Sequence, residues 1–258
     1  MDRTATARPA VPDNWAAPVL SGAALAKDRL LPVVEPLATL LPEGGLVRGQ
    51  AIVSSGPAAL SLALAAVSGA VAAGSWLAVV DVPMLGLETA AEFGIPLERI
   101  VRIDPGRGRA GSTGGRDRGT MWAELITATV DGFEIVITRV PDMLSRAMAT
   151  RVQARWKARG AVVVVVGRPG PVSAAIELGS ARARWEGIEP GAGHLRSRRV
   201  VVEASGRRTP RPRRAELWLP GPGGVISRVG GGTVNAVDDA MSVGAAYRPD
   251  ISSHSAAG

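Results

Sequence analysis

Residues 49–64 read Gly49-Gln-Ala-Ile-Val-Ser-Ser-Gly56-Pro57-Ala-Ala-Leu-Ser-Leu-Ala-Leu64. The first half is an apolar run typical of a buried strand, and the second half is a small-residue segment typical of a helix. The Gly-Pro pair between them marks a turn. A strand that turns directly into a helix is the unit from which α/β sheets are built, so this stretch predicts the α/β class.

The turn has the outline of a phosphate-binding loop but lacks the residues that such a loop needs. A working loop follows the pattern G-x-x-x-x-G-K-[ST], in which successive backbone N–H groups curl around the phosphates. No second glycine, lysine or threonine follows Gly56 here. Pro57 has no N–H group to donate. We therefore expect no nucleotide at this degenerate loop, which consists of Gly56, Pro57, Ala58 and Ala59.

The segments on either side alternate between predicted strands and predicted helices. The strands are expected at 50–54, 76–81, 100–103, 133–138 and 161–166, and the helices at 58–73, 87–93, 121–130 and 143–159. Strands that are apolar on both faces and alternate with helices indicate a mainly parallel sheet covered on both sides. Residues 199–204 and 215–219 are predicted to form an antiparallel pair. On the last helix, an apolar stripe that includes Val152 and Trp156 is assigned to the core.

Composition divides the chain into four parts. We predict a flexible N-terminus at 1–19, a helical segment at 20–43, a core domain at 44–220 and a disordered tail at 221–258. Pro32 and Pro36 interrupt the leucine periodicity of the helical segment, which favours two short helices. The tail is rich in glycine and poor in large apolar residues, which is typical of disorder. Residues 105–119, rich in Gly and Arg, are predicted to form a mobile loop.

Composition also limits the chemistry and the compartment. The chain has no cysteine and only two histidines, which excludes disulfides, thiolate metal sites and histidine-rich metal sites. Its apolar runs are far shorter than the ~20 residues that a bilayer requires. The first residues lack a basic region followed by an apolar core, so no secretory signal is expected. We predict a cytoplasmic protein without membrane contact.

The charge is concentrated in one segment. Residues 182–214 contain ten arginines and three glutamates, so this segment carries +7, which equals the net charge of the whole chain. A concentrated arginine field suggests a polyanion or an acidic protein as partner. A solvated surface is the alternative, because the preference for Arg over Lys extends along the entire chain.

Aromatic rings among cations can stack on unpaired bases, so the arginine-rich segment also suggests single-stranded nucleic acid. The candidate contacts are Arg168, Arg182, Arg184, Trp185, Arg207, Arg208, Arg211, Arg213 and Arg214. Trp218 lies in an alternating apolar pattern and is assigned to the core. The carboxylates and serines lack the spacing of a two-metal site or of a nucleophile elbow, so no metal and no serine hydrolase chemistry are expected.

Several strings occur in the order found in a RecA-like core, and they resemble it. Leu46 to Pro57 resembles the first strand and the entry to the phosphate loop, and Trp76-Leu-Ala-Val-Val-Asp81 resembles the next strand. Asp131-Gly-Phe-Glu-Ile-Val-Ile-Thr-Arg139 resembles the Walker B strand. The resemblance covers about 44–220. It implies a RecA-like, mainly parallel β-sheet flanked by helices on both faces, followed by the antiparallel pair.

Carried over position by position, the resemblance implies that the catalytic groups are missing. The glutamate that polarises water in RecA recombinases is replaced by Pro83. The Walker B aspartate, which helps to hold Mg²⁺, is replaced by Arg139, a cation where a metal dication would sit. Phosphoryl transfer depends on positioned cations and a placed nucleophile. We therefore expect no catalytic residue, no cofactor and no enzyme activity.

Among degenerate RecA-like chains, this one most resembles the ImuA′ type of actinobacteria, with the bacterial ImuA and SulA-like proteins as further relatives. That resemblance implies an accessory protein of translesion synthesis, induced by DNA damage and nucleoid-associated when engaged. The implied partner is ImuB, an inactive Y-family polymerase homologue, and indirectly an error-prone C-family polymerase. Single-stranded DNA and RecA are further implied partners.

Two other functions stay open at this point. One is a divergent RecA-like ATPase, in which an arginine replaces the missing lysine; Arg48 is the nearby candidate, although it precedes the strand. The other is an arginine-driven DNA-binding module in DNA repair, built on residues 182–214.

Overall fold

The computed structural model describes residues 29–105, 118–189, 192–207 and 209–230. The strands are β1 (Leu30–Leu31), β2 (Leu46–Val47), β3 (Ala51–Ser55), β4 (Leu77–Val80), β5 (Ile100–Ile103), β6 (Ile135–Thr138), β7 (Val162–Val166), β8 (Ile176–Glu189), β9 (Ala192–Gly206), β10 (Thr209–Trp218) and β11 (Ser227–Arg228). The helices are α1 (Glu35–Ala38), α2 (Ala59–Ala72), α3 (Leu87–Glu92), α4 (Arg118–Gly132) and α5 (Arg146–Arg159). Short 3-10 turns span Leu97–Arg99 and Pro222–Gly224.

One nine-stranded sheet organises the described residues, in the order β11-β10-β9-β8-β3-β7-β6-β4-β5. Every neighbouring pair in the run β8-β3-β7-β6-β4-β5 is parallel, and every neighbouring pair in the run β11-β10-β9-β8 is antiparallel. The strand β8 therefore joins the two parts of the sheet. β1 and β2 form a separate antiparallel pair. This arrangement confirms the predicted fold class, a mainly parallel sheet with helices on both faces followed by antiparallel strands.

Two apolar cores lie on opposite faces of the sheet. The first packs α2 and residues of α3 against one face, and the second packs α4 and α5 against the other. The valines of β7 alternate between them, because successive side chains of a strand point to opposite faces. Val152 and Trp156 of α5 are buried in the second core, which confirms the apolar stripe.

The prediction of a helical segment at 20–43 is largely wrong for the residues that the structure describes, from residue 29 onward. Leu30 and Leu31 pair with β2 as a strand, and the one helix among residues 29–43 is α1, a single turn. Pro36 stands in its first turn, where a missing N–H costs nothing. Leu37 and Leu40 are fully buried in the first core, so the leucine periodicity reflects burial rather than a longer helix.

The C-terminal boundary also differs from the prediction. Residues 222–224 form a turn and β11 pairs with β10, so the folded unit continues past residue 220. Arg228 donates a hydrogen bond to the Thr39 hydroxyl, which ties β11 to the residue after α1. The two-residue β11 was hidden because neither its length nor its composition distinguishes it from a loop.

Several predictions concern residues outside the described ranges. These are the flexible N-terminus at 1–19, most of the loop at 105–119 and the tail from 231 onward. Within the described ranges, none of the helices combines the length and the apolar composition needed to cross a bilayer. The same residues contain no cluster of three or more His, Cys, Asp or Glu that could hold a metal ion.

Candidate functional site

The functional candidates gather at the carboxyl edge of the parallel strands. The degenerate loop follows β3, Asp81 and Pro83 follow β4, and Arg139 follows β6. Arg168 follows β7 at the same edge. Because parallel strands end on one side of the sheet, positions that are far apart in sequence become neighbours here, where α/β proteins bind ligands.

The backbone of the degenerate loop is occupied by internal hydrogen bonds. The N–H of Ala58 donates to the hydroxyl Oγ of Ser180 at 2.9 Å, and that hydroxyl donates to the Ser55 carbonyl oxygen at 2.8 Å. The N–H of Ala59 donates to the Gly56 carbonyl oxygen at 3.1 Å. The Ala58 and Ala59 N–H groups, two of the donors that would face phosphates in a working loop, are therefore already bonded within the protein.

Close packing against β8 accompanies these hydrogen bonds. Gly56 has φ +86°, a left-handed backbone that favours glycine. A Cβ atom at this position would overlap both the carbonyl oxygen and the hydroxyl of Ser180. The register of β8 against β9 shifts between Ser180 and Arg182, so a bulge lies directly beside the loop. The loop is closed onto the strand next to it.

ATP and Mg²⁺, which a RecA-like fold implies, do not fit these residues. The Ala58 N–H is used by Ser180, Pro57 has no N–H, and the space beside Gly56 is filled by β8. The position of the metal-binding aspartate carries the exposed cation of Arg139. Neither a triphosphate cradle nor a cation site is available in this arrangement.

Removing the Ser180 hydroxyl tests this closure. We expect Ser180→Ala to lower the free energy of unfolding by about 1–3 kcal/mol, because it leaves the buried Ala58 N–H without an acceptor. Urea unfolding followed by circular dichroism measures the change. The matched control is Ser61→Ala in α2, whose hydroxyl makes no hydrogen bond among the described residues and should change stability by less than about 0.5 kcal/mol. Equal stabilities for both variants would contradict the role of Ser180.

Pro83 and Arg139 face one cleft of about 440 Å³ at this edge, together with Asp81, Arg118 and Asp142. The two positions at which the RecA-like resemblance implies a base and a metal-binding aspartate thus lie together. Asp81 has φ +56°, unusual for a residue other than glycine, and its carboxylate lies 3.5 Å from the Arg118 guanidinium. The cleft therefore holds two carboxylates, Asp81 and Asp142, and two guanidinium groups, Arg118 and Arg139.

The arginine-rich segment is not a loop but the antiparallel part of the sheet. The RecA-like resemblance also implies a DNA-contacting loop at about residues 168–194; this range contains the whole of β8, so that expectation is wrong. Burial alternates along the strand from Ile176 to Ser180, but in the sequence only Ile176, Glu177 and Leu178 follow the matching period-two pattern. Beyond Leu178, glycine, serine and arginine interrupt the apolar pattern, and this composition concealed the strand.

Strand pairing divides the nucleic-acid candidates between two faces. Arg184 lies opposite Arg199, and Arg182 lies opposite Val201, so these residues share one face. Arg214 and Trp218 are on the same face of β10, where the Trp218 ring lies 4.9 Å from the Arg199 guanidinium. Trp218 is half-buried, in contrast to its fully buried neighbours Leu217 and Leu219, so its assignment to the core is wrong.

Trp185 lies on the opposite face, which continues into the first core. It pairs with Arg198, whose guanidinium lies 4.9 Å from the indole ring. Arg198 is buried, and its Nε donates to the Leu219 carbonyl oxygen at 2.8 Å. Burial lowers the pKa of the Arg198 guanidinium. Trp185 and the arginines at 182 and 184 therefore cannot act as one surface.

The other candidates have separate environments. Arg213 donates to the carbonyl oxygens of Thr39 and Leu41 at 3.1 Å and 2.9 Å, so its guanidinium joins β10 to the residues after α1. Arg207 donates to the Ser173 hydroxyl. Arg168, Arg211 and Arg214 are exposed, and Arg208 lies outside the described residues.

Sequence reasoning missed four residues of this region. They are Ser180, which closes the loop, Arg118, which pairs with Asp81, and Arg198 and Arg199, which stack on tryptophans. Each owes its position to a contact with a residue distant in sequence. The alternation of Ile176, Glu177 and Leu178 is the one sequence signal that points to the strand containing Ser180.

Comparison with known proteins gives one family. A family model described as the MT3502 N-terminal domain matches residues 39–172, just over half of the 258-residue chain. No curated protein matches the chain. The matched range includes the degenerate loop and the cleft, and it ends at Val172, before β8. Ser180 and the arginine-rich strands lie beyond it.

Proposed function

The chain belongs to the MT3502 N-terminal domain family, and we propose that it is a non-enzymatic RecA-like adaptor in translesion DNA synthesis. One observation carries the proposal. The loop that would hold a triphosphate is closed by Ser180, whose hydroxyl accepts from the Ala58 N–H and whose backbone fills the space beside Gly56. A RecA-like domain that cannot be driven by nucleotide hydrolysis acts through its surfaces.

The cleft supports the same proposal. Arg139 and Pro83 occupy the positions of a metal ligand and a base, and neither side chain can perform those roles. Residues are replaced at three separate positions. The replacement in the loop removes phosphate binding, the one after β4 removes the base, and the one after β6 removes cation binding. Loss of a single group would leave a slow enzyme, whereas loss of all three leaves a scaffold.

The proposed partner is an ImuB-type inactive Y-family polymerase homologue, which links the adaptor to an error-prone C-family polymerase. RecA is a further candidate partner. In this proposal the protein works in the cytoplasm, associates with the nucleoid after DNA damage and uses no cofactor. The resemblance to ImuA′-type chains supports the choice of partner, and the excess of arginine supports an acidic binding surface on it.

Two measurements on the purified protein test the proposal. We expect 1:1 binding of the ImuB-type protein in calorimetry, and we expect ATP with Mg²⁺ to leave the melting temperature unchanged, because a ligand that binds the native state would raise it. Arg48, the candidate substitute for the missing lysine, is paired with Glu134. Micromolar ATP binding with steady phosphate release would establish the ATPase alternative instead, and absence of ImuB binding would refute the adaptor.

One observation favours DNA binding as a second function. Arg182, Arg184, Arg199 and Arg214 are exposed on one face of the antiparallel strands, beside the half-buried ring of Trp218. If these arginines contact phosphates, the affinity for an oligothymidine must fall steeply with salt, by roughly one power of salt concentration for each one to two contacts. Fluorescence anisotropy at several salt concentrations measures the slope, and an affinity independent of salt would exclude this function.

A further inference from the structure

A groove of about 660 Å³ lies between the end of α3 and the hairpin formed by β8 and β9. Trp185, Leu195 and Arg196 form the hairpin wall, and Ala91 and Glu92 form the helix wall. The groove shares none of its described lining residues with the cleft at the carboxyl edge of the parallel strands. It is therefore a separate surface of the molecule.

The hairpin beside the groove forms a ridge, because its far end has no further strand on either side. β8 pairs with β3 only as far as Gly179, and β10 pairs with β9 only from Arg199 onward. Beyond these positions the described residues of β8 and β9 have no other strand partner than each other. A ridge next to a groove on one surface allows two copies to interlock about a twofold axis, each ridge entering the groove of the other copy.

Exposed apolar side chains lie on the ridge and at the groove. Trp185 is 41% exposed and Leu195 is 52% exposed, and both line the groove. Val225, 64% exposed, follows directly after Gly224, which also lines it. Single exposed apolar residues are ordinary, but a group of them around a concave surface is typical of a protein interaction site, and interfaces between identical chains are the more apolar kind.

Trp185 is held in place before any second protein binds. Its ring lies 4.9 Å from the buried Arg198 guanidinium, which donates to the Leu219 carbonyl oxygen. Backbone hydrogen bonds from Arg198 to the Pro220 carbonyl oxygen and from Leu219 to the Arg198 carbonyl oxygen fix that arginine further. A tryptophan that is exposed but immobile loses little entropy on binding, and such residues dominate the energy of many interfaces.

The charges of the groove are balanced, with one cation and one anion on opposite walls. Arg196 on the ridge and Glu92 at the end of α3 are both exposed, and neither side chain forms an ion pair with another described residue. A lining without net charge does not favour a strongly acidic or a strongly basic segment. It matches a surface that carries the same two charges, because a twofold axis would bring Arg196 of each copy to Glu92 of the other copy.

We propose that the ridge and the groove form the interface of a twofold-symmetric homodimer of this chain. Trp185 and Leu195 supply its apolar centre, and two identical ion pairs between Arg196 and Glu92 of different copies fix the orientation. The proposal goes beyond the adaptor function and does not depend on it, because it concerns contact between copies of this chain only. It assigns Trp185 to protein binding rather than to stacking on nucleic acid.

Charge reversal combined with mixing of variants tests the interface. We expect the wild-type chain to dimerise reversibly, and we expect Arg196→Glu and Glu92→Arg each to raise the dimer dissociation constant at least tenfold. Each change places like charges at both ion pairs of the dimer. An equimolar mixture of the two variants should dimerise like the wild type, since the contacts between unlike copies again join opposite charges. Analytical ultracentrifugation measures the constants, and native mass spectrometry identifies the mixed dimer.

The mixture distinguishes a contact between chains from a contact within one chain. If the double variant Arg196→Glu/Glu92→Arg recovers the dimer but the mixture does not, the two charges act within one chain and the proposal is overturned. A wild-type chain that stays monomeric at all concentrations overturns it too, and leaves the adaptor function standing. If Arg196→Glu leaves the dimer intact and instead weakens binding of the ImuB-type protein, the groove receives that protein and not a second copy.

A control for net charge uses Arg151→Glu on α5. Arg151 is also an exposed arginine, and it does not line the groove. The dissociation constant of this variant should stay within twofold of the wild-type value. A loss equal to that of Arg196→Glu would assign the effect to net charge and overturn the specific contact.

Replacing Trp185 with alanine tests the apolar part of the interface. We expect at least tenfold weaker dimerisation. The matched control is Trp76→Ala, because Trp76 is 44% exposed and has its own arginine, Arg99, at 5.6 Å, but does not line the groove. That control should dimerise within twofold of the wild type, and equal constants for the two variants would overturn the proposal. The charge variants at exposed positions keep the test independent of the fold around Trp185.

Discussion

Replacing Gly56 with valine is expected to lower the free energy of unfolding by about 3 kcal/mol or more. Two causes act together. The φ of +86° is strained for any β-branched residue, and the new Cβ would overlap the carbonyl oxygen and the hydroxyl of Ser180. The backbone of β8 cannot yield, because it is paired with β3 on one side and with β9 on the other.

Gly74→Val separates these two causes. Gly74 also has a positive φ, +113°, but a Cβ atom there would meet nothing within 4 Å. This variant carries the backbone strain without the overlap and should lose less stability than Gly56→Val. Urea unfolding by circular dichroism and by tryptophan fluorescence measures both. If the two valine variants are equally stable, the closure of the loop onto β8 does not restrict the site, and the strongest support for the adaptor function disappears.

Replacing Trp156 with alanine is expected to lower the free energy of unfolding by about 3–5 kcal/mol, the usual cost of deleting a buried aromatic ring. Trp156 is 2% exposed and belongs to the core between the sheet and the helices α4 and α5. The N–H of Ala161, directly before β7, donates to its carbonyl oxygen at 3.0 Å, so the helix end is joined to the strand that follows. A cavity at this point would loosen that connection.

Lys157→Ala is the control for this variant. Lys157 is the neighbouring residue on the same helix, its side chain is exposed, and alanine keeps the helix propensity. Its loss of stability should stay below about 0.5 kcal/mol. Differential scanning calorimetry of both variants measures the change. A loss below about 1 kcal/mol for Trp156→Ala would contradict the assignment of the α5 stripe to the core.

The proposed adaptor function, in which catalysis is lost and the fold is kept, is compatible with the way the core is built. The core is made by the apolar strands and the buried faces of α2, α4 and α5, none of which requires a phosphate or a metal. The catalytic positions lie in the loops after the strands. A loop can exchange a lysine or an aspartate without disturbing the core, because loop side chains contribute little buried area.

The candidate site was partly predictable for the same reason. Pro83 and Arg139 could be assigned from sequence because each directly follows a recognisable strand, and the structure brings both to one cleft. Arg118, which pairs with Asp81, could not be assigned from the sequence. It stands near the end of the Gly- and Arg-rich segment 105–119, and its position depends on the packing of α4.

By itself, the sequence determined the parallel part of the sheet and the absence of a complete phosphate-loop motif after Gly56. Runs such as Val162–Val166 form buried strands wherever they occur, and a residue type that is missing from a motif needs no coordinates to be noticed. These features are local, because strand and helix periodicity extend over a few residues.

Only the tertiary structure decided which surfaces the protein presents. The Ser180 hydroxyl reaches the Ala58 N–H across 122 residues of chain, and the pairing of β8 with β9 sets Trp185 on one face and Arg182 and Arg184 on the other. The one-residue register shift between Ser180 and Arg182 reverses the faces of the side chains that follow it, up to the second shift after Glu186. Register and long-range packing, which no short stretch of sequence encodes, therefore closed the loop and separated Trp185 from the two arginines.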